Sequence, residues 1–79
     1  MSSAELLVKL EEIFRDVFAN DDIELTEATN ANDIEEWDSL MQISILAAVQ
    51  DEMGVSFDMD EIIAMKNVGD MVNAILGKL

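Results

Sequence analysis

An unbroken run of twelve uncharged residues, from Ser39 to Gln50, constrains the fold of this chain more than any other feature. The rest of the chain is strongly charged, since the whole sequence has 18 Asp and Glu against 4 Lys and Arg. The run holds long apolar side chains and alanines without Gly or Pro, which favours a helix. Asp38 precedes it, and a carboxylate at that place can cap the first turn. The sequence therefore predicts a helix from Ser39 to about Met53.

At about 100° per residue, this helix has two faces of different character. One face, which we interpret as the core face, holds Ile45, Leu46, Val49 and Met53, with Gln42 near them. The other face is nearly uncharged too, and an exposed apolar face of this kind suggests a docking surface for a partner. That face comprises Leu40, Met41, Ser44, Ala47 and Asp51, flanked by Ile43 and Ala48. Coverage by the preceding loop is the alternative interpretation.

Ser39 is the candidate functional residue, because it lies in the first turn of this predicted helix. There the unpaired N–H groups and the positive end of the helix dipole favour a negative group. A phosphate attached to the Ser39 hydroxyl would be stabilised by both. Taken alone, the tripeptide Asp38-Ser39-Leu40 is better explained as a simple capping pair.

The N-terminal part of the chain predicts one helix followed by a long connection. Ser2 and Glu5 have the capping-box spacing and open a helix from about Ser3 to Ala19. Its apolar stripe consists of Leu6, Leu7, Leu10, Ile13, Phe14, Val17 and Phe18. The connection from Asn20 to Asp38 is unusually long for a compact domain. We expect it to be held on the helices by Ile23, Leu25, Ile34 and Trp37.

A short helix is predicted after Gly54, a residue that suits a left-handed helix end. Asp58 and Glu61 repeat the capping-box spacing and open a helix from Met59 to about Met65. Val55 and Phe57 alternate like a strand, but a single such fragment forms no sheet.

The last helix is predicted to begin after Asn67, which can cap it. Its apolar positions follow the i, i+3, i+4, i+7 rule and are Val68, Met71, Val72, Ile75, Leu76 and Leu79. Gly77 and Lys78 are residue types that suit the C-terminal end of this helix. Gly69 within the helix lowers its stability modestly, because Gly is a weak helix former. Residues 1–79 should therefore form a single all-α domain, a small four-helix bundle with three main helices and one short helix before the last.

Composition excludes several classes of function. A net charge of −14 with only scattered basic residues excludes nucleic-acid binding. The chain has no Cys or His, which excludes disulfides and removes the commonest general base. The acids of the connection do not follow a calcium-loop pattern, so no metal site is predicted. No transmembrane segment or signal peptide is recognisable, and we expect a cytoplasmic monomer.

Four segments of the chain resemble the acyl carrier protein family. They are Trp37-Asp38-Ser39-Leu40, Gln50-Asp51-Glu52-Met53-Gly54-Val55-Ser56-Phe57, Asp60-Glu61-Ile62 and Asn67-Val68-Gly69-Asp70-Met71, and the resemblance spans about Ala4 to Leu79. In that family the Ser of the Asp-Ser-Leu motif carries 4′-phosphopantetheine, which implies this role for Ser39. The resemblance also implies that Asp38 assists the phosphopantetheinyl transferase, which uses coenzyme A and Mg²⁺, and that Leu40 lies beside the cofactor.

Two further features follow from the resemblance. Family members often shelter the acyl chain between the second and third helices, which implies an acyl pocket with Leu46, Ile62, Ile63 and Met65 as candidate walls. Taken singly, each of these residues also suits plain core packing. In carriers of fatty-acid synthesis the outer face of the second helix is typically acidic, whereas Met41 and Ser44 stand here where acids often occur.

The expected function is that of a stand-alone acyl carrier, not an enzyme. Its partners would be a phosphopantetheinyl transferase and enzymes that load and transfer acyl groups, in fatty-acid-like, secondary-metabolite or polysaccharide-modifying biosynthesis. The alternatives are an aminoacyl or peptidyl carrier and an unmodified acidic adaptor for a basic protein. A hydrolase that uses Ser39 would lack a His, and no Lys lies near Ser39 in sequence.

Overall fold

The computed structural model describes residues 2–79, which form four helices and no strand. The helices are α1 (Ser3–Phe18), α2 (Ser39–Met53), α3 (Met59–Ala64) and α4 (Val68–Leu76). This confirms the predicted all-α bundle with a short helix before the last. Within residues 2–79, no helix combines the length and the apolar composition that crossing a bilayer requires.

The ends of α1 and α2 are set by local chemistry that the sequence revealed. Glu5 N–H donates to Ser2 Oγ at 3.2 Å, and Ser2 N–H donates to the Glu5 carboxylate at 3.3 Å. The bond from Ser2 N–H, together with the Ser2 hydroxyl, holds the pKa of the Glu5 carboxyl below its ordinary value. The predicted end of α1 is one residue too late, because Ala19 takes a left-handed conformation (φ 52°) and caps the helix. Gly54 does the same for α2, with φ 67°.

The ends of α3 and α4 depart slightly from prediction. Asp58 and Glu61 form the predicted capping box, but α3 ends at Ala64, because Met65 is extended with ψ 106°. Asn67 caps α4 by accepting from Asp70 N–H at 2.8 Å. Gly77 caps the end of α4 as predicted, in a right-handed conformation (φ −67°). The placement of Leu79 on the apolar stripe was wrong, since Leu79 lies beyond α4 and is 61% exposed.

One continuous core lies where α1 packs against α2 and α4. Its members from these helices are Leu6, Leu10, Ile13, Phe14, Phe18, Ile45, Leu46, Val49, Val68, Met71, Val72 and Ile75. Leu7, Val17 and Met53, which were predicted with them, are half-buried at its margin. The helical part of the core therefore consists of the apolar stripes that helical periodicity predicts.

The connection from residue 20 to residue 38 is fastened to α1 as well as to the core. Ile23, Leu25 and Trp37 are buried and Ile34 is half-buried, as predicted. Arg15 Nε donates to Ile23 O at 2.9 Å. Leu25 N–H donates to the carboxylate of Glu11, also at 2.9 Å, and Glu11 pairs with Arg15 at 3.1 Å. Polar bonds and burial together place the residues that lead into α2.

Helix α3 is the least embedded helix, since none of its residues is buried. Its attachment to the C-terminus is polar: Lys78 Nζ lies 2.9 Å from the Glu61 carboxylate. The same ammonium lies 5.5 Å from the ring centroid of Phe57, within the range of a cation–π contact. The hydrogen bond from Lys78, together with the N–H of Asp58, holds the pKa of the Glu61 carboxyl below its ordinary value.

The start of α4 touches the long connection backbone to backbone. Gly69 N–H donates to Glu27 O and Val68 N–H donates to Thr29 O, both at 2.8 Å. A Cβ on residue 69 would lie 2.9 Å from Glu27 O, closer than such atoms approach in proteins. The sequence alone shows Gly69 only as a weak helix former. The structure shows that this close contact requires a glycine.

We expect Gly69→Ala to destabilise the protein although alanine is the better helix former. Overpacking costs about 1–3 kcal/mol, which exceeds the ~1 kcal/mol of improved helix propensity. Gly77→Ala is the matched control, because a Cβ there meets nothing closer than 3.5 Å. Thermal unfolding followed by circular dichroism measures both. A Gly69→Ala protein that melts at or above the temperature of the parent and of Gly77→Ala would contradict this account.

Candidate functional site

The hydroxyl of Ser39 is presented at the first position of α2. Asp38 precedes it as N-cap, with an extended backbone (φ −121°, ψ −172°). Asp38 Oδ1 accepts from Met41 N–H at 2.9 Å, and Asp38 O accepts from Gln42 N–H at 2.9 Å. Both Asp38 and Ser39 are exposed. The cap thus positions the serine at the surface without using its hydroxyl.

The electrostatics of this helix start favour a negative group. The cap satisfies the N–H of Met41, whereas the N–H groups of Ser39 and Leu40 have no partner within the helix. Aligned peptide dipoles add the equivalent of about half a positive charge at this end. A phosphate attached to the exposed Ser39 hydroxyl would be stabilised both by these free N–H groups and by the helix dipole.

An open groove with a volume of about 540 Å³ begins at Ser39 and runs between α2 and α3. Most of its lining is apolar. The residues that line it are Ala31, Trp37, Asp38, Ser39, Gln42, Ile43, Met59, Ile62, Ile63, Met65 and Lys66. Its size falls within the range of about 300–1,000 Å³ that is usual for sites that bind small molecules. A flexible arm attached to Ser39 would have an apolar surface beside it.

Trp37 is held rigidly at the edge of this groove. Its ring meets the Phe14 ring edge-on, with centroids 5.1 Å apart. Its Nε1 donates to Gln42 Oε1 at 2.7 Å. Because both Trp37 and Gln42 line the groove, this bond joins the end of the long connection to the first turns of α2.

Three of the four residues proposed for the acyl pocket lie together on this groove, namely Ile62, Ile63 and Met65. Leu46 does not, and its place among them requires correction. It is 1% exposed and points into the core, because it lies on the buried face of α2 with Ile45 and Val49.

Sequence reasoning missed several groove residues as site residues: Ala31, Gln42, Ile43, Met59 and Lys66. A signal existed for Met59, which lies four residues before Ile63 on the same face of α3. Ala31 and Lys66 come from irregular segments, whose side chains no periodicity places.

The outer face of α2 is uncovered over much of its length. Leu40 is 75% exposed and Ile43 is 61% exposed, so the long connection does not shield them. Ser44, Ala47 and Asp51 are also exposed. Met41 differs from the rest of the predicted docking set, since it is half-buried against the core.

Comparisons with known proteins agree on one family. The sequence profile of the family described as "Phosphopantetheine attachment site" matches residues 3–75. An acyl carrier protein homolog of Mycoplasma genitalium is 34% identical over 74 residues, covering 91% of this chain and 86% of its own length. The acyl carrier protein of Lactobacillus acidophilus is 34% identical over 76 residues, covering 95% of this chain and 94% of its own length.

A solved structure has the same fold. The solution NMR structure of holo acyl carrier protein from Geobacter metallireducens is 39% identical in sequence, with a TM-score of 0.87. The match covers 91% of this chain and 83% of that protein.

We expect Asp38→Ala to lower the melting temperature because it removes the α2 cap. The usual loss is about 1 kcal/mol, which corresponds to about 4–8 °C in a domain of this size. Asp38→Asn is the matched control, since it removes the same charge but keeps an oxygen that can accept from Met41 N–H. Equal melting temperatures for the two variants would show that the carboxylate does not act as a cap.

Proposed function

Because the chain belongs to the acyl carrier protein family, we propose that Ser39 bears the covalently bound 4′-phosphopantetheine that is the cofactor of this family. Members are carriers and not enzymes, as the sequence predicted. When bound, the cofactor supplies the thiol that holds an acyl group as a thioester, a group that this chain without Cys does not contain.

The observation that carries the proposal is the placement of Ser39. It is exposed, it opens α2 beside unpaired N–H groups, and it stands at the mouth of the apolar groove. These features fit a phosphodiester-linked arm. They also support a modified carrier over the alternative of an unmodified acidic adaptor. A hydrolase that uses Ser39 would lack the histidine that usually activates a serine, since the chain contains no His.

The groove is the proposed shelter for the acyl chain. Ile62, Ile63 and Met65 line one side and Ile43 the other, so an alkyl chain from the arm would exchange water for apolar contacts. Each methylene that it buries contributes about 0.8 kcal/mol. Because α3 has no buried residue, it can adjust to cargo at little cost in core packing.

The family implies two kinds of partner, a phosphopantetheinyl transferase and enzymes that handle acyl groups. We assign their docking to the exposed face of α2, with Leu40, Ser44, Ala47 and Asp51, and with half-buried Met41 at its edge. Since no charge interrupts this face from Ser39 to Gln50, its centre suits an apolar contact. Asp38 would assist in the transferase step, and Leu40 would lie beside the attached arm.

For the cargo and the pathway we propose two classes, in order of preference. An acyl group of fatty-acid-like, secondary-metabolite or polysaccharide-modifying biosynthesis is the first assignment, since the compared relatives are acyl carriers. An aminoacyl or peptidyl cargo is the second, favoured by the uncharged outer face of α2. Residence in the cytoplasm as a monomer stays a prediction.

Intact-mass spectrometry tests the attachment residue. After incubation with coenzyme A, Mg²⁺ and a phosphopantetheinyl transferase, the parent protein should gain one phosphopantetheine group, and Ser39→Ala should gain none. Ser44→Ala is the matched control, because Ser44 is an exposed serine on the same helix. It should be modified like the parent. Modification of Ser39→Ala would refute the assignment.

The groove proposal predicts that a medium-length acyl chain raises the melting temperature of the loaded protein. Ile63→Gln should reduce this gain, since Ile63 lines the groove and is 69% exposed when nothing covers it. Val8→Gln is the matched control, because Val8 is similarly exposed (60%) but lies on α1 outside the groove. Thermal unfolding of the octanoylated and unacylated forms measures the gain. Equal gains in both variants would count against the shelter.

A further inference from the structure

Three of the four basic side chains in this acidic protein form ion pairs. Lys9 pairs with Glu52 at 3.3 Å, Arg15 with Glu11 at 3.1 Å, and Lys78 with Glu61 at 2.9 Å. Lys66, the remaining cation, forms no ion pair within residues 2–79. Lys66 is also exposed, so its ammonium is accessible.

Lys66 lies where it can meet the group attached to Ser39. It belongs to the connection between α3 and α4, and it lines the same groove as Asp38 and Ser39. Its backbone is anchored, because its N–H donates to Asp70 Oδ2 at 2.9 Å. The side-chain ammonium takes no part in that bond and remains available to an anion.

The charges around Ser39 favour one anion in particular. A phosphodiester on Ser39 adds a negative charge next to Asp38, in a chain that already carries −14. Asp38 is an acid at the same helix start, and one of its carboxylate oxygens accepts from Met41 N–H. A nearby cation would offset part of this repulsion, and Lys66 is a basic residue that lines the groove together with Ser39.

We propose that Lys66 is the counter-ion of the phosphodiester at Ser39 and holds the base of the arm against the mouth of the groove. It is a positioning residue, because it acts on the attachment point and not on the acyl group or the thiol. This inference rests on the proposed function, since it requires that Ser39 be modified.

A melting-temperature cycle between modification and substitution tests the pairing. The unmodified and phosphopantetheinylated forms of the parent, Lys66→Gln, Lys66→Arg and Lys9→Gln are prepared, and intact mass confirms complete modification of Ser39. The measured quantity is the shift in melting temperature on modification. Lys9→Gln is the matched control for charge, because Lys9 pairs with Glu52 and does not line the groove.

In Lys66→Gln the shift on modification should be more negative than in the parent by about 2–4 °C, the size expected of a partly exposed ion pair in a small domain. Lys66→Arg and Lys9→Gln should behave like the parent. The difference should vanish in about 1 M NaCl, where the screening length falls to about 3 Å.

Three results would overturn the inference while leaving the attachment at Ser39 intact. They are an equal shift in the parent and Lys66→Gln, a deficit that Lys66→Arg does not restore, and a deficit that persists at high salt. Absence of any mass gain in the parent would instead overturn the proposed function, and this inference with it.

Discussion

The structure depends on how α2 is buried. Ile45, Leu46 and Val49 are almost fully enclosed, which anchors the middle of the helix in the core. Its first turn lies outside that contact, so Ser39 remains at the surface while its position is set by a buried helix. Because the Asp38 cap determines where the helix begins, one helix supplies both a rigid support and an accessible hydroxyl. A carrier needs this combination, since different enzymes must reach the same attachment point.

Around this helix, basic residues link neighbouring elements through hydrogen bonds and ion pairs. Arg15 and Glu11 hold the long connection on α1, and Lys78 holds α3 to the C-terminus. With a net charge of −14, the chain repels itself, and such links oppose the repulsion. Helix α3 shows this most clearly. It contributes no buried residue, yet it forms one wall of the groove beside Ser39. Only half-buried Ile62 packs from this wall against the core, so the wall can adjust to cargo with little disturbance of core packing.

Much of this arrangement was predictable because its causes are local. The start of each helix followed from a capping side chain three residues before its bonded N–H, as at Ser2, Asp58 and Asn67. The core followed from apolar periodicity. Errors arose where a single backbone angle decided the outcome: Ala19 ended α1 by turning left-handed, and Met65 ended α3 by extending. Neither Ala nor Met is a residue type that predicts these conformations.

The sequence by itself determined the helices and the core stripes, since propensity, capping and periodicity act over a few residues. The candidacy of Ser39 followed from its place at a helix start together with the family resemblance. Only the tertiary structure decided which side chains share the groove. It excluded Leu46, which the buried face of α2 turns inward, and it brought Met59 and Lys66 to Ser39 from distant parts of the chain. It also gave Gly69 its role, through the contact of its backbone with Glu27. The physical reason is that such juxtapositions depend on how whole helices pack, and no local pattern encodes that packing.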